Sequence, residues 1–189
     1  MKPTDKTTKI REQLLTAKHK KLVVKFGRPY EQRNFTGYVL DVGSGFFLLA
    51  SLGEGLEFEQ FTCLKIADIR HLQCPAANAR FYTKVRKLRG DKLPAKPKAD
   101  LTDQVSVLDS LHRSLVTIYR EQVNPNACHI GYVLSRSKTV VQLFEIDPDA
   151  AWETEPSYYR INQITRIDLP GPYEQALLAV GGEPRLQSA

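Results

Sequence analysis

The sequence predicts a mainly β protein with short helices, in which two five-stranded antiparallel barrels follow one another along the 189-residue chain. The tetrapeptide Gly-Tyr-Val-Leu occurs at residues 37–40 and again at 131–134, and the apolar residues around both copies keep the same spacing. Short segments rich in β-branched and aromatic residues alternate with glycine turns. The connections are too short for helical crossovers, so the strands are expected to be antiparallel.

The first predicted unit covers residues 8–90. Ile10, Leu14 and Ala17 recur at helical spacing, which predicts a leading helix at residues 8–20 with Thr7 or Thr8 as its N-cap. Glycines at positions 43 and 45 predict a hairpin turn, because glycine adopts the positive φ angles of tight hairpins. A trailing helix is expected after Pro75. The five predicted strands are residues 22–26, 35–42, 46–52, 56–64 and 66–72.

The second predicted unit covers residues 102–182, after a Pro/Lys-rich extended linker at 91–101. Thr102 or Asp103 is positioned to cap its leading helix, and a trailing helix begins near Pro172. Apolar positions of the two units align over about fifty residues with two short gaps, which is typical of a tandem repeat. Residues 1–7 and 183–189 are expected to be loose ends.

The pattern in both units resembles the Sm-like fold, and other small SH3-like barrels share it. The features that carry the resemblance are a short helix, five strands, a glycine at the start of the second strand and an Ile-x-x-Ile pattern in the closing strand. The resemblance implies a small barrel that forms rings by pairing of edge strands, although tandem copies can also satisfy each other's edges.

The Sm uridine-binding residues are absent from both units. Sm proteins carry an Asp six residues after that glycine, an Asn four residues further on, and an Arg-Gly or Lys-His pair near the fifth strand. In the two units, Gly43 and Ser137 stand at the Asp position, and Phe47 and Val141 stand at the Asn position. Near the fifth strand, only the basic residue of the pair is present, as Lys65 and Arg160. The resemblance therefore implies the fold and not the uridine pocket.

Lysine and arginine are concentrated on both sides of the first copy. Residues 1–21 contain seven lysines and arginines and two acidic residues, and residues 76–100 contain eight lysines and arginines and two acidic residues. The whole chain has a net charge of +6. Clustered cations release counterions on meeting phosphate, and Phe81 or Tyr82 could stack on an unpaired base. The alternative is a solvated helix whose aromatics dock on the first barrel. The residues expected to contact nucleic acid, most simply RNA, are Lys18, Lys20, Lys21, Arg80, Lys84, Arg86, Lys87 and Arg89.

A second interpretation is an adaptor that binds protein through its strand edges or an aromatic surface. Trp152, Tyr158 and Tyr159 lie close together in sequence and are the aromatic candidates for partner binding. Exposed strand edges also provide a route to homo-oligomers. A membrane partner is not expected, because the basic helical segments have a short apolar face and no tryptophan.

No residue pattern predicts an enzyme, a cofactor or a metal site. Cys128-His129 lacks the paired spacing of a zinc site, and adjacent strand residues point to opposite faces. The acidic residues around Trp152 lack the spaced ligands of a calcium loop and favour a solvated hairpin. Three cysteines, a polar N-terminus and the lack of a long apolar run predict a cytoplasmic protein with reduced thiols.

Overall fold

The computed structural model describes residues 5–184 and contains four helices and ten strands in that range. Along the chain, one helix precedes each run of five antiparallel strands and one helix follows it. The elements are α1 (Asp5–Lys20), β1 (Val23–Gly27), β2 (Phe35–Val42), β3 (Phe46–Leu52), β4 (Phe58–Lys65), β5 (His71–Gln73), α2 (Ala79–Arg89), α3 (Gln104–Ser110), β6 (Leu115–Tyr119), β7 (Cys128–Arg136), β8 (Val140–Glu145), β9 (Ser157–Arg160), β10 (Arg166–Asp168) and α4 (Pro172–Gly181).

All ten strands belong to one open antiparallel sheet, with the order β5-β1-β2-β3-β4-β10-β6-β7-β8-β9. The prediction of two closed five-stranded barrels, Sm-like or SH3-like, is therefore wrong. The interpretation as a tandem repeat of self-contained units is also wrong, because β10 from the end of the chain extends the sheet beside β4.

The seam between β4 and β10 explains why neither half closes. Leu64, Cys63 and Thr62 of β4 pair with Arg166, Ile167 and Asp168 of β10, and β10 pairs on its other side with β6. A strand edge presents unpaired N–H and C=O groups to any complementary edge. Three consecutive residues of β4 are buried, Thr62, Cys63 and Leu64, and the sequence shows that both faces of this strand are covered without showing which strand lies beside it. The sequence pattern therefore could not distinguish closure from this pairing.

The fifth predicted strand of each half is mostly a bend. Residues 66–68 form a single 3-10 turn in which Ile69 N donates to Ile66 O (3.2 Å), and only the three residues of β5 then pair with β1. In the second half, Ile161–Gln163 forms the matching turn before β10. The apolar Ile-x-x-Ile spacing therefore places Ile66 and Ile69 in the core without making a continuous strand.

The hairpin turn between β2 and β3 is confirmed, but its glycines serve a different purpose from the one predicted. Gly43 N donates to Phe46 O (2.8 Å), and neither Gly43 nor Gly45 is among the residues with positive φ. A Cβ added to Gly43 would lie 2.2 Å from the carbonyl oxygen of Leu101. Glycine is required here because the linker at residues 91–101 passes directly against the turn.

Helices cover both faces of the sheet. In the first half, Ile10, Leu14 and Ala17 of α1 join the core that contains Val24, while Val23 faces a separate cluster under α2. Neighbouring strand residues point to opposite faces, which places α1 and α2 on opposite sides of β1. In the second half, α3 packs on the largest apolar cluster and α4 on a smaller one.

The helix ends agree with the sequence in part. Thr102 or Asp103 was predicted as the N-cap of α3, and it is Asp103, whose side chain accepts a hydrogen bond from Ser106 N at 2.9 Å. Helix α1 begins at Asp5, so residues 5–7 are helical, contrary to expectation. The other expected loose residues at 1–4 and 185–189 lie outside the described range. Within residues 5–184, no helix has both the length and the apolar character needed to cross a membrane.

Candidate functional site

Helix α2 is the most cationic element of the described chain. It contains five cations and no acidic residue, and none of its side chains is buried. Arg80, Lys84 and Lys87 recur at helical spacing and are exposed. Among the described residues, none of the three forms an ion pair or a side-chain hydrogen bond. Together they form the α2 basic row.

The apolar side chains beside this row also face solvent. Phe81 is 57% exposed and Leu88 is 88% exposed, and Phe81 has only an edge contact with the ring of Tyr82, with centroids 6.2 Å apart. The alternative in which the helix aromatics dock on the sheet therefore does not hold for Phe81. An exposed aromatic ring flanks the α2 basic row.

The other two predicted cations of α2 hold the helix against the sheet. Arg86 Nη1 donates to Asp91 O (3.3 Å), and its guanidinium lies 5.6 Å from the centre of the Tyr38 ring. Arg89 Nη1 donates to Gly55 O at 2.9 Å. Arg86 and Arg89 are therefore engaged by backbone carbonyls, unlike the three cations of the α2 basic row.

The segment after α1 meets the segment before α2 at the start of β1. Lys18 is paired with Asp41 at 2.6 Å, whereas Lys20 and Lys21 are exposed and have no ion pair within the described chain. The chain then enters β1 at Val23, whose carbonyl accepts from Ala76 N (2.8 Å), three residues before α2. Residues 23 and 76 are therefore adjacent, although α1 and α2 pack on opposite faces of β1. We use the name basic surface for the five predicted cations that are exposed and have neither an ion pair nor a side-chain hydrogen bond within the described chain. They are Lys20, Lys21, Arg80, Lys84 and Lys87.

The predicted aromatic surface is not formed, because its three members lie in different environments. Trp152 stacks on Phe144 with ring centroids 5.7 Å apart, and its Nε1 donates to Gly182 O (3.0 Å). Tyr159 is buried, whereas Tyr158 is 67% exposed on β9 at one edge of the sheet. Of the three, Tyr158 is the most exposed, Trp152 is half-buried and Tyr159 is buried.

Tyr159 instead belongs to a polar cluster that the sequence did not reveal. Its hydroxyl donates to Glu145 and lies 2.8 Å from His129 Nδ1. His129 Nδ1 is also 3.1 Å from Glu145 Oε2, and Arg120 Nη2 is 3.2 Å from His129 Nε2. The guanidinium of Arg120 lies 4.6 Å from the centre of the Tyr159 ring.

The chemistry of this cluster is that of a closed network. Burial opposes ionisation of Glu145, but hydrogen bonds from His129 and Tyr159 outweigh it and hold the pKa of Glu145 below its usual value. Arginine only donates, so Nε2 of His129 accepts from Arg120 and its proton is on Nδ1. Both ring nitrogens are occupied, which leaves no free lone pair for a general base. No sequence signal marks the cluster, because its members meet only through the pairing of β7 with β8 and of β8 with β9.

The acidic hairpin around Asp147 is a turn rather than an ion site. Asp147 Oδ1 accepts from the backbone N–H groups of Asp149 and Ala151, both at 2.9 Å. Within residues 5–184 there is no group of three or more His, Cys, Asp or Glu side chains that could hold a metal ion. The three cysteines are free, with Cys63 buried and Cys128 exposed.

A buried ion-pair network joins the two halves near the seam. The Arg28 side chain is fully buried and pairs with Glu31 and with Glu121, the latter at 2.7 Å. Arg28 Nη1 also donates to Thr165 O at 2.8 Å, and the guanidinium lies 5.2 Å from the Phe35 ring centre. Arg28 is thus bonded to both halves, and within the described residues only Glu121 Oε2 of the network is buried without a partner, so the network holds the halves together.

Comparison with protein-family models, with curated proteins and with solved structures finds no match to this chain. The described residues also contain no feature specific to RNA, so the RNA-binding prediction has no support beyond charge and stacking. Of the eight cations predicted to contact nucleic acid, five are exposed and have neither an ion pair nor a side-chain hydrogen bond within the described chain, and three of these, the α2 basic row, share one face of a helix. Such a surface can neutralise several phosphates and offer one aromatic face.

Proposed function

We propose that this protein is a non-enzymatic binding protein whose basic surface takes up single-stranded nucleic acid. The observation that supports this proposal most directly is the exposure of Phe81 beside Arg80, Lys84 and Lys87. Single exposed apolar side chains are ordinary on a protein surface, but this ring lies directly beside three cations that have no ion pair within the described chain. Phosphate contacts together with base stacking account for both features.

The charge of this surface is not neutralised internally. Acidic residues in the same half are directed elsewhere: Asp41 pairs with Lys18 and Lys96, and Glu54 pairs with Arg33. Each phosphate contact with a single strand contributes about 0.7 to the slope of log affinity against log salt concentration. Five contacts therefore predict a slope of roughly −3.5. These interactions are common to RNA and DNA, so both single strands are expected to bind.

The test is fluorescence anisotropy of a labelled single-stranded oligonucleotide, titrated at several salt concentrations. The triple variant Arg80→Ala, Lys84→Ala, Lys87→Ala should bind more weakly, with a slope shallower by about 2 because three phosphate contacts are lost. The matched control removes the same charge from exposed residues elsewhere and is Arg70→Ala, Lys98→Ala, Lys138→Ala. The control should keep most of the affinity and the original slope.

Two results contradict the proposal. One is the absence of binding by the wild-type chain at low salt. The other is an equal loss in both triple variants, which would mean that overall charge rather than the α2 basic row attracts the oligonucleotide.

Phe81 distinguishes a nucleic-acid partner from an anionic membrane. Stacking of a base on an aromatic ring contributes roughly 1–3 kcal/mol, so Phe81→Leu should weaken oligonucleotide binding by at least about fivefold. Leucine keeps the apolar character that a membrane interface would use. Undiminished oligonucleotide binding by this variant, together with binding to vesicles that contain anionic lipid, would favour the membrane instead.

A second candidate function is self-association through the edges of the sheet. β4 and β9 each precede a 3-10 turn, and β5 and β10 each follow one. β4 pairs with β10 inside the chain, whereas β9 and β5 remain at the two edges. The same pairing between β9 of one copy and β5 of the next would extend the sheet head to tail, and would give a ring or a filament according to the rotation between copies.

Size-exclusion chromatography with light scattering tests this candidate over a range of concentrations. Tyr158→Lys places a charge on β9 and should shift the population toward monomer, because lysine on an edge strand opposes pairing. The control is Tyr173→Lys on α4, which changes an exposed tyrosine away from both edges. A wild-type chain that is monomeric at every concentration, or a control that dissociates equally, would refute edge pairing.

A further inference from the structure

Charged side chains from both halves of the chain meet in one partly buried cluster beside the seam. We call it the joint cluster, and its members are Arg28, Glu31, Lys65, Asp68 and Glu121. The guanidinium of Arg28 pairs with Glu31 and with Glu121, the latter at 2.7 Å. Lys65 and Asp68 lie within electrostatic range of the same guanidinium. Glu121 belongs to the second half, and the other four residues belong to the first.

Two hydrogen bonds between the halves flank the joint cluster. Lys65 Nζ donates to Ile164 O at 3.2 Å. Gln122 Nε2 donates to the hydroxyl of Tyr30 at 2.8 Å, and that hydroxyl is hydrogen-bonded to Asp68. The charge of the cluster therefore acts directly on the contact between the halves.

Carboxylates outnumber cations in the joint cluster. With every group ionised, its five members carry three negative charges and two positive charges. Arg166 also lies near Glu121, but its guanidinium is paired with Asp168, to which its Nε donates at 2.9 Å. One negative charge of the cluster is therefore unmatched. An unmatched charge is costly away from water, so a carboxyl group in such a place tends to keep its proton.

Two carboxylate oxygens show which groups can hold this proton. Asp68 Oδ2 and Glu121 Oε2 are buried and accept no hydrogen bond within the described residues. Loss of water from a carboxylate oxygen favours the neutral form of the group. Burial accordingly raises the pKa of Asp68, and it raises the pKa of Glu121 despite the adjacent Arg28. Both groups interact with the same guanidinium, so the proton belongs to the pair.

We propose that the joint cluster is a pH-sensitive joint between the two halves. Asp68 and Glu121 together retain one proton at a pH at which exposed carboxylates have lost theirs. Release of that proton leaves a buried negative charge at the contact, and the halves then separate more easily. Because the folded chain binds more protons than the unfolded chain, its stability falls as the pH rises above about 4, until the proton is lost.

NMR of the side-chain carboxyl carbons of the full chain detects the proton directly. Asp68→Asn and Glu121→Gln assign the two signals. At least one carboxyl of the pair should titrate at a higher pH in the folded chain than the same group does in the chain unfolded by urea. Midpoints at or below the unfolded values for both groups would overturn the proposal.

Unfolding in urea at about pH 5 and about pH 8 tests the effect on stability. The wild-type urea midpoint should be lower at the higher pH. Asp68→Asn should lose at least about half of that difference, because it leaves the cluster neutral without a bound proton. The matched control Glu54→Gln removes a carboxylate from an exposed arginine pair and should keep the wild-type difference. Histidines titrate in the same range in every variant, so comparison with the wild type isolates the carboxyl group.

Amide hydrogen exchange shows where the chain loosens. After correction for the intrinsic exchange rate, the protection of the β10 amides should fall with pH more than that of the β2 amides, which pair within the first half. An equal fall in both strands would refute a joint between the halves. A wild-type urea midpoint that does not fall with pH, or a control that loses the difference as fully as Asp68→Asn, would also refute it.

Discussion

Replacement of Arg28 by methionine should destabilise the whole protein much more than removal of a surface arginine. Arg28 is fully buried, and its loss would leave the carboxylates of Glu31 and Glu121 and the carbonyl of Thr165 without their donor. Removing one partner of a buried ion pair costs about 3–5 kcal/mol. Domains are stable by roughly 5–15 kcal/mol, so this is a large fraction of the total.

The assay is equilibrium unfolding in urea, which gives the free energy of unfolding and its denaturant dependence. The matched control is Arg33→Met, because Arg33 also pairs with a glutamate, at 2.7 Å, but both side chains are about nine-tenths exposed. Exposed pairs contribute about 0–1 kcal/mol. The double variant Arg28→Met, Glu121→Met should recover part of the loss, since it also removes the unpaired charge.

The reasoning would be refuted if Arg28→Met and Arg33→Met cost the same within about 1 kcal/mol. A split of the unfolding of Arg28→Met into two transitions would in contrast agree with a network that joins the halves, because the halves would then unfold separately once it is lost.

Two further predictions concern single side chains. Hydrogen bonds from Lys18 and Lys96 outweigh burial and lower the pKa of Asp41 to about 2. Because the pKa of Asp41 is lower in the folded than in the unfolded chain, Asp41→Asn should reduce the free energy of unfolding at neutral pH by about 1 kcal/mol after solvent screening. In acid unfolding, this difference from the wild type should vanish as the pH falls from about 4 to 2. Gly43→Ala places a Cβ against Leu101 O and should cost roughly 1–3 kcal/mol by thermal denaturation; an unchanged melting temperature would mean that the linker moves freely.

The strands were predictable because their signals are local. Residues 35–42 and 46–52 were predicted as strands and match β2 and β3, since β-branched and aromatic runs between glycine turns define them without help from the rest of the chain. The Asp103 cap of α3 follows from the same kind of short-range chemistry.

The arrangement of the strands and the polar clusters was not predictable in the same way. The partner of β4 is a distant strand, and an apolar pattern carries no information about which of several edges it will meet. His129 and Tyr159 meet only because β7, β8 and β9 are adjacent in the sheet. The helical spacing of apolar residues predicted that Phe81 would face the sheet, but Phe81 is exposed. The face of α2 that carries Tyr82 packs on the sheet instead.

The seam between β4 and β10 also sets an order of events in folding. Gln60 of β4 hydrogen-bonds Asp168 of β10 across 108 residues of sequence, and contacts this remote form slowly because a long loop must first be closed. During synthesis, β4 has no neighbour on one side until β10 has left the ribosome. Over that interval the first half presents an open strand edge, the feature most prone to aggregation. A chain that stops before β10 would keep that edge permanently, so the last short strand acts as the chain's own protection against aggregation.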